Sequence, residues 1–371
     1  LLDGYSAVVG LRYLAGAYSR LEKSAPRGVL GTLLSGPIAH LAARTASPLP
    51  SLRELHEHLD EYAASEKHEA DADYWRAQLA DDSVVTGLEG TTGRAAKRVV
   101  RVSTSIPDAD AARLRGLGRD MPKTAGGLVA RYLSKMTGQA RVSVGLPVTA
   151  RRGKIAKTTP SMLSSILPLR VDVSAGLSLA EVIANAGDAV RGAVSHQQFR
   201  VEEVAQTHAL AGPSVNLLPV IDELVFGRAR GTVNILSTGP VHDLSVVISG
   251  LTSEAAAPTL QLEGDAELYT SDVLREHAWR MLELLSQVLD EPATTTVTDA
   301  NVVRADEIAG LLEQGSGDEV PIGQESVLRA FSKVAAVRDA ETAVVAADGT
   351  LTFAELDELS TRLAHHLVGE G

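Results

Sequence analysis

The stretch between residues 97 and 290 alternates short apolar segments of period two with longer segments of helical period. In "VVRVSTSI" (99–106) apolar and polar residues alternate, which predicts a half-buried strand ended by Pro107. The same reasoning predicts further strands at 142–148, 166–173, 215–226, 231–236, 243–249 and 258–268, and helices at 108–118, 124–136, 178–195 and 271–290. Strands and helices are interleaved without regular βα alternation, so we predict a mixed α/β fold.

The composition limits the classes of protein to which the chain can belong. Its 371 residues suffice for two or three folded units, and with only 4% aromatic residues the cores must consist mainly of Leu, Val and Ala. The absence of cysteine excludes thiol nucleophiles, disulfides and thiolate metal sites. A formal net charge of -12 argues against a nucleic-acid surface. We see neither a membrane-spanning apolar run nor a signal peptide, and expect a cytoplasmic protein without membrane partners.

The chain begins with "LLDGYS", at the start of an amphipathic helix. Apolar residues recur at spacings of three and four from Val8 to Leu21, which predicts a helix to about Lys23. Asp3 is a favourable N-cap residue because its carboxylate can accept hydrogen bonds from the first-turn amides. A charged helical stretch is predicted at 52–79, and the composition of 87–97, rich in Gly, Thr and Ala, predicts a linker or a crossing loop.

Several short motifs occur in an order that resembles the condensation domains of nonribosomal peptide synthetases. They are "DGYS" (3–6), "YWRAQL" (74–79), "VGLPVTAR" (144–151), "LPLRV" (167–171), "HQQFRVEEV" (196–204) and "GPSVNLLP" (212–219). "LTFAEL" (351–356) resembles the first core motif of the adenylation domain that follows such a domain. "GPSVNLLP" and "STGPVHDL" (237–244) are most similar to the enterobactin-synthetase type.

This resemblance implies two chloramphenicol-acetyltransferase-like lobes in a V arrangement, with the first lobe incomplete. The expected divisions are a remainder of the first lobe at 1–90, the second lobe at 97–290, a linker at 291–324 and the leading edge of an adenylation domain at 325–371. The segment around 220–245 is expected to cross back and latch onto the first lobe.

The resemblance also implies a set of site residues. The family motif is His-His-x-x-x-Asp-Gly, and Asp3 and Gly4 match its last two positions, so the catalytic histidine is expected just before Leu1. Asp3 is expected to form a bidentate, structural ion pair with Arg151. Gly4 is expected to let the backbone approach closely. The further residues expected at the substrate tunnel or its motifs are Tyr5, Ser6, Ser165, His196 and Asn216, and no metal site is expected.

The implied function is amide-bond formation, by attack of a carrier-bound acceptor amine on an upstream carrier-bound donor thioester. The implied partners are the donor and acceptor peptidyl carrier proteins and the adjacent adenylation domain. Phosphopantetheine would come from the carriers, with no cofactor bound by the chain itself, and siderophore biosynthesis is a suggested context.

Other interpretations remain open from the residues alone. A heterocyclisation domain carries Asp-x-x-x-x-Asp-x-x-Ser, and "DGYS" fits the second half of that motif. A carrier-docking module without catalysis is a second alternative. His196 can also be read as a structural, hydrogen-bonding histidine. The chain departs from the family pattern at Ser161, where glycine is usual, and at Ser165–Ile166, where asparagine usually precedes "LPLR". We read the basic segment 149–160 as a loop.

Overall fold

The computed structural model describes residues 2–24, 49–80, 87–89, 95–204, 212–218, 223–233, 235, 241–251, 257–290, 296, 302–303, 305–317 and 326–370. Contacts divide the chain into two units, Leu1–Arg304 and Ala305–Gly371. Residues 1–90 and 97–290 thus fall in one unit, and the division at 304/305 lies inside the expected linker 291–324.

The first unit contains a six-stranded mixed sheet. Its strands are β1 (Val99–Ser105), β2 (Arg141–Val148), β3 (Ser165–Asp172), β4 (Ser214–Leu218), β7 (Leu244–Ser249) and β8 (Thr259–Asp265), in the order β1-β8-β7-β4-β2-β3, while β5 (Leu224–Phe226) and β6 (Ala229–Gly231) form a separate hairpin. β4 runs parallel to β2 and β7, and the other neighbours are antiparallel.

Eight helices in the described part of the first unit accompany this sheet. They are α1 (Gly4–Ser24), α2 (Leu52–Ala63), α3 (Glu66–Gln78), α4 (Asp108–Leu117), α5 (Met121–Thr137), α6 (Gly153–Thr158), α7 (Leu179–Ser195) and α8 (Ser271–Asp290), with 3-10 turns at Gly118–Asp120 and Val201–Glu203. The predicted helix 52–79 is interrupted because Ser65 caps a new helix, accepting a hydrogen bond from the amide of His68. The predicted strand 215–226 is two strands, and 231–236 overlaps β6 only at Gly231.

The basic segment 149–160 contains helix α6, so its prediction as a loop is wrong. The helix is short and lies between two contacts made by other elements. The hydroxyl of Tyr5 donates to the carbonyl of Lys157 at 3.1 Å, and His58 Nε2 lies 3.2 Å from the carbonyl oxygen of Arg152. These contacts are tertiary, which is why local sequence did not indicate the helix.

The β5–β6 hairpin packs against α1. Ser19 Oγ donates to the carbonyl of Val225 at 2.9 Å and accepts from the amide of Gly227 at 2.8 Å, and the Tyr18 and Phe226 rings meet edge to face. The hairpin, which is part of the segment expected to latch onto the first lobe, therefore contacts helix α1, whose N-cap is Asp3.

The second unit consists of α9 (Ala305–Ser316), α10 (Val327–Val337), β9 (Thr342–Ala346), β10 (Gly349–Thr352) and α11 (Phe353–Gly369). Thr352 and Glu355 form a capping box at the start of α11, as "LTFAEL" predicts. Leu359, Leu363 and Leu367 follow at helical spacing and are 48%, 58% and 60% exposed. This unit therefore leaves one apolar helix face uncovered.

Two buried ionisable groups in the first unit have pKa values that are shifted in opposite directions. Burial raises the pKa of Asp243 to about 6, although the Tyr269 hydroxyl donates to its Oδ1 at 2.5 Å. Burial, and to a lesser extent Arg280, lowers the pKa of His277 to about 4. The contribution of Asp243 to the free energy of unfolding is present below about pH 3.8 and is lost as pH rises to about 6. The contribution of His277 is present above about pH 6.5 and is lost as pH falls to about 4. The two contributions therefore offset one another between pH 4 and 6.

We expect that substituting either residue alone reveals the pH-dependent contribution of the other to the free energy of unfolding. Relative to wild type, Asp243→Asn should lose about 2 kcal/mol of unfolding free energy as pH falls from 6 to 4. His277→Gln should gain a similar amount over the same range. Urea unfolding at several pH values, expressed as differences from wild type, measures both slopes. Parallel pH profiles for the two variants and wild type would contradict this reading.

Candidate functional site

Asp3 caps helix α1. Its Oδ1 accepts from the amide of Ser6 at 2.8 Å, and its carbonyl accepts from the amide of Ala7 at 2.9 Å. The side chain is therefore held in the N-cap position expected from the sequence, with its second oxygen directed elsewhere.

The second oxygen of Asp3 binds the segment that precedes β3. Oδ2 accepts from the amides of Leu163 and Ser164, both at 3.0 Å, and from Ser164 Oγ at 2.9 Å. Arg151 Nη2 lies 3.1 Å from the same oxygen. Burial alone would raise the pKa of Asp3, but hydrogen bonds from these amides and that of Ser6 outweigh it and lower the pKa to about 2. Asp3 is therefore a carboxylate at neutral pH, in a structural setting.

Ser6 connects the same elements a second time. Its Oγ is fully buried, donates to the carbonyl of Ser161 at 2.7 Å and accepts from the Ser161 amide at 2.9 Å and from Arg151 Nη2 at 2.6 Å. Ser6 thus connects the start of α1 to Arg151 and Ser161 and is not exposed to solvent. Ser161, the departure noted in the sequence, contributes mainly its backbone, since Arg151 Nη2 also donates to its carbonyl at 2.9 Å.

The geometry of Arg151 differs from the expected bidentate pair. A single nitrogen, Nη2, makes its contacts with Asp3, Ser6 and Ser161, while its Nε and Nη1 are buried without a hydrogen-bond partner in the described part of the chain. The guanidinium carbon lies 4.9 Å from the centre of the Tyr5 ring, in cation–π range. The position of Arg151 is thus fixed by its stacking on Tyr5 and by the contacts of Nη2. The expected bidentate pair, in which two guanidinium nitrogens bind the Asp3 carboxylate, is therefore corrected to a pair made through one nitrogen.

The backbone just before Arg151 is strained. Ala150 has a φ of 51°, and no other non-glycine residue in the described ranges has a positive φ. The left-handed region costs a residue with a Cβ about 1–2 kcal/mol. A strained position next to a buried site residue suggests that the turn is maintained by its surroundings.

We therefore expect Ala150→Gly to stabilise the first unit by about 1 kcal/mol, because glycine adopts this φ without strain. Ala156→Gly, inside helix α6, is the matched comparison and should destabilise instead. Urea midpoints followed by tryptophan fluorescence compare the two. A loss of stability in Ala150→Gly would contradict the assignment of strain.

Ser165 and Asn216 lie on opposite faces of the sheet. Leu169 Cδ1 is 3.8 Å from the position a Cβ on Gly126 of α5 would take, so odd residues of β3, including Ser165, face the helices. There Ser165 Oγ donates to Glu202 at 3.3 Å. A Cβ on Gly145 would lie 2.8 Å from Ile166 and 3.2 Å from Ser214, which places Asn216 on the other face. The structure does not bring these two side chains together.

His196 belongs to a separate polar cluster around Asp71. Its Nδ1 is 2.5 Å from Asp71 Oδ1, which Lys67 also binds, and the Tyr62 hydroxyl donates to Asp71 Oδ2 at 2.7 Å. The imidazole stacks on Tyr74 with ring centres 4.0 Å apart. The contacts match the structural, hydrogen-bonding interpretation of His196. Asp71 was missed by the sequence analysis, because an acidic residue in a charged helix carries no distinguishing signal.

The remaining candidates have simpler surroundings. A Cβ on Gly4 would meet no atom within 4 Å, so nothing in the described residues requires glycine there for close approach. The side chains of Arg152, Lys154 and Lys157 on and beside α6 are exposed. Within the described ranges, no group of three or more His, Asp or Glu side chains could hold a metal ion. Likewise, no helix in those ranges is long and apolar enough to cross a membrane.

Comparison with solved structures defines the class of fold. The first condensation domain of the calcium-dependent antibiotic synthetase, in complex with a substrate analogue, is 28% identical with a TM-score of 0.66, covering 81% of this chain and 64% of that one. The starter condensation domain of rhizomide synthetase, at 23% identity and a TM-score of 0.61, shares the fold. The mixed α/β architecture is therefore that of condensation domains, a chloramphenicol-acetyltransferase-like fold.

Comparison with protein families and with curated proteins leads to the same class as the comparison of folds. The family model of the condensation domain matches residues 39–312. Similar proteins include a dimodular nonribosomal peptide synthase of Bacillus subtilis, 27% identical over 86% of this chain, and an isonitrile lipopeptide synthase of Streptomyces coeruleorubidus, 30% identical over 84%. Enterobactin synthase component F of Escherichia coli O157:H7 is 23% identical over the whole chain. The chain belongs to the condensation domain family of nonribosomal peptide synthetases.

The match is to a part of each relative. This chain spans 14%, 22% and 28% of the lengths of those three proteins, respectively.

Proposed function

We propose that this chain is part of a condensation domain that forms an amide bond between two carrier-bound substrates. The acceptor amine attacks the carbonyl carbon of the donor thioester and gives a tetrahedral oxyanion. The intermediate collapses as the carbon–sulfur bond breaks, so that the donor arm leaves as a thiol and the amine proton is transferred away. Both substrates would be tethered through phosphopantetheine on upstream and downstream carrier proteins.

The observation that carries the proposal is the buried network around Asp3. Five hydrogen-bonding or ionic contacts from Leu163, Ser164 and Arg151 tie the Asp3 carboxylate, at the start of α1, to residues 151–164. We infer that Asp3 and Gly4 end the His-His-x-x-x-Asp-Gly motif and that the catalytic histidine precedes Leu1. In this reading the pair of Asp3 and Arg151 holds the motif in place and transfers no proton.

The proposed domain organisation follows the resemblance. Residues 1–90 would be the remainder of the first lobe, 97–290 the second lobe, and 325–371 the leading edge of an adenylation domain. The uncovered apolar face of α11 supports this last assignment, since a domain body would cover Leu359, Leu363 and Leu367. The setting we propose is the cytoplasm.

The test uses the protein extended upstream to include the motif histidines. Donor-loaded and acceptor-loaded carriers are mixed with it, and the acceptor is analysed by mass spectrometry of the intact carrier. We expect the donor acyl group on the acceptor amine. A thiazoline or oxazoline product would support heterocyclisation, and carrier binding without product would support the docking module. Both outcomes would contradict amide formation.

A further inference from the structure

The direction of the Arg151 side chain depends on an unusual turn. Ala150 at φ 51° and Gly153 at φ 76° bracket Arg151 and Arg152. Within this turn the Arg151 side chain points inward and is 1% exposed, whereas Arg152 is exposed. The left-handed conformation is costly at Ala150, which carries a Cβ, but not at Gly153, so contacts from outside the turn must favour the conformation at Ala150.

His58 of helix α2 supplies such a contact. Its Nε2 lies 3.2 Å from the carbonyl oxygen of Arg152, and because a carbonyl only accepts, Nε2 carries the proton. The imidazole also lies against Gly153, where a Cβ would be 3.5 Å from His58 Cε1. His58 therefore holds the peptide group between Arg152 and Gly153, one residue beyond Arg151.

Helix α2, which carries His58, has defined contacts near both of its ends. Ser51 and Glu54 form a capping box at its start. Near its end, the Tyr62 hydroxyl donates to the buried Asp71. At the other end of α6 the Tyr5 hydroxyl binds the carbonyl of Lys157. The helix after the turn is thus held between α2 and α1.

We propose that His58 is a positioning residue, whose hydrogen bond to the Arg152 carbonyl fixes the 150–153 turn and so directs Arg151 toward Asp3 and Ser6. Its importance for catalysis rests on the proposed function, but its effect on the ion pair does not. A histidine that only stabilises the fold would make the same contact. The test must therefore measure the interaction between Asp3 and Arg151, and not only the overall stability.

A double-mutant cycle provides that measurement. Asp3→Asn, Arg151→Met and the double variant are unfolded in urea in three backgrounds: wild type, His58→Ala and His58→Gln. We expect a coupling of about tenfold in the unfolding equilibrium constant in wild type, as for neighbouring charged residues. The coupling should approach onefold in His58→Ala and return in His58→Gln, whose amide can donate to the same carbonyl. His56→Ala is the matched control, because His56 is an exposed histidine on the same helix.

Unchanged coupling in His58→Ala, even with reduced stability, would overturn the proposal. If cycle variants do not fold, hydrogen exchange of the Arg151 guanidinium protons by NMR replaces the cycle. We expect at least about tenfold faster exchange in His58→Ala than in wild type or His56→Ala, since the open turn exposes the guanidinium. Equal exchange rates would overturn the proposal as well. Neither measurement needs a peptide product, so failure of amide formation would leave this inference standing.

Discussion

Replacing Arg151 by alanine should lower the free energy of unfolding of the first unit by about 3–5 kcal/mol, because it leaves a buried carboxylate without its cation. Arg151 is the one cationic side chain within ion-pair distance of Asp3 among the described residues, and both side chains are at most 3% exposed. The change also removes a donor to Ser6 and to the carbonyl of Ser161. Activity of the upstream-extended protein should fall together with stability.

Arg152→Ala is the matched control for this prediction. Arg152 is the next residue, is exposed, and should change the unfolding free energy by no more than about 0.5 kcal/mol. Tryptophan fluorescence reports on the relevant unit, because Trp75 and Trp279 both lie in Leu1–Arg304. Equal losses in the two variants, or none in Arg151→Ala, would show that the network is not needed for stability.

The pH dependence gives an independent check. Since the pKa of Asp3 is lowered to about 2 in the folded protein, its contribution is present above pH 3.8 and lost as pH falls toward 2. In Arg151→Ala the carboxylate should protonate at higher pH, so the difference from wild type should shrink as pH falls below about 4. A difference that stays constant down to pH 2 would argue against an effect through Asp3.

Elements with a strong local pattern could be predicted from the sequence. The strand "VSVGLPV" and the helix at 178–195 agree with β2 and α7 to within a residue, because apolar periodicity and the Ser178 cap are local signals. Helix α6 could not be predicted in this way. Its six residues are too few to be helical alone, and contacts from α1 and α2 stabilise it.

In the candidate site too, residues with a local signal or a motif could be predicted, whereas contacts between distant segments could not. Asp3 is visible as an N-cap, and the resemblance identified Arg151 as its partner. The loop amides of Leu163 and Ser164 could not be anticipated, since they lie about 160 positions away and contribute backbone that any residue could supply. The structure places His196 in a second cluster, whose central residue, Asp71, carried no motif. Motifs therefore located the network around Asp3 but not the contacts that complete it.

Asp71→Ala should destabilise the first unit by about 2–3 kcal/mol, because it leaves the partly buried donors of Tyr62 and His196 without their acceptor. Burial raises the pKa of Asp71, but hydrogen bonds from Lys67, Tyr62 and His196 outweigh burial and lower it, so the group is charged when folded. Its partners come from α2, α3 and the end of α7, so the substitution should release α3 from α7.

Asp73→Ala tests whether this effect depends on burial. Asp73 lies two residues away on the same helix and pairs with Arg76, but both side chains are more than half exposed. Such a surface pair contributes no more than about 1 kcal/mol. Urea unfolding followed by tryptophan fluorescence compares the two variants, and Trp75, whose indole donates to the carbonyl of His196 at 3.1 Å, lies at the α3–α7 contact. If Asp71→Ala were as mild as Asp73→Ala, His196 and Tyr62 would be satisfied without the carboxylate, and the cluster would not join the two helices.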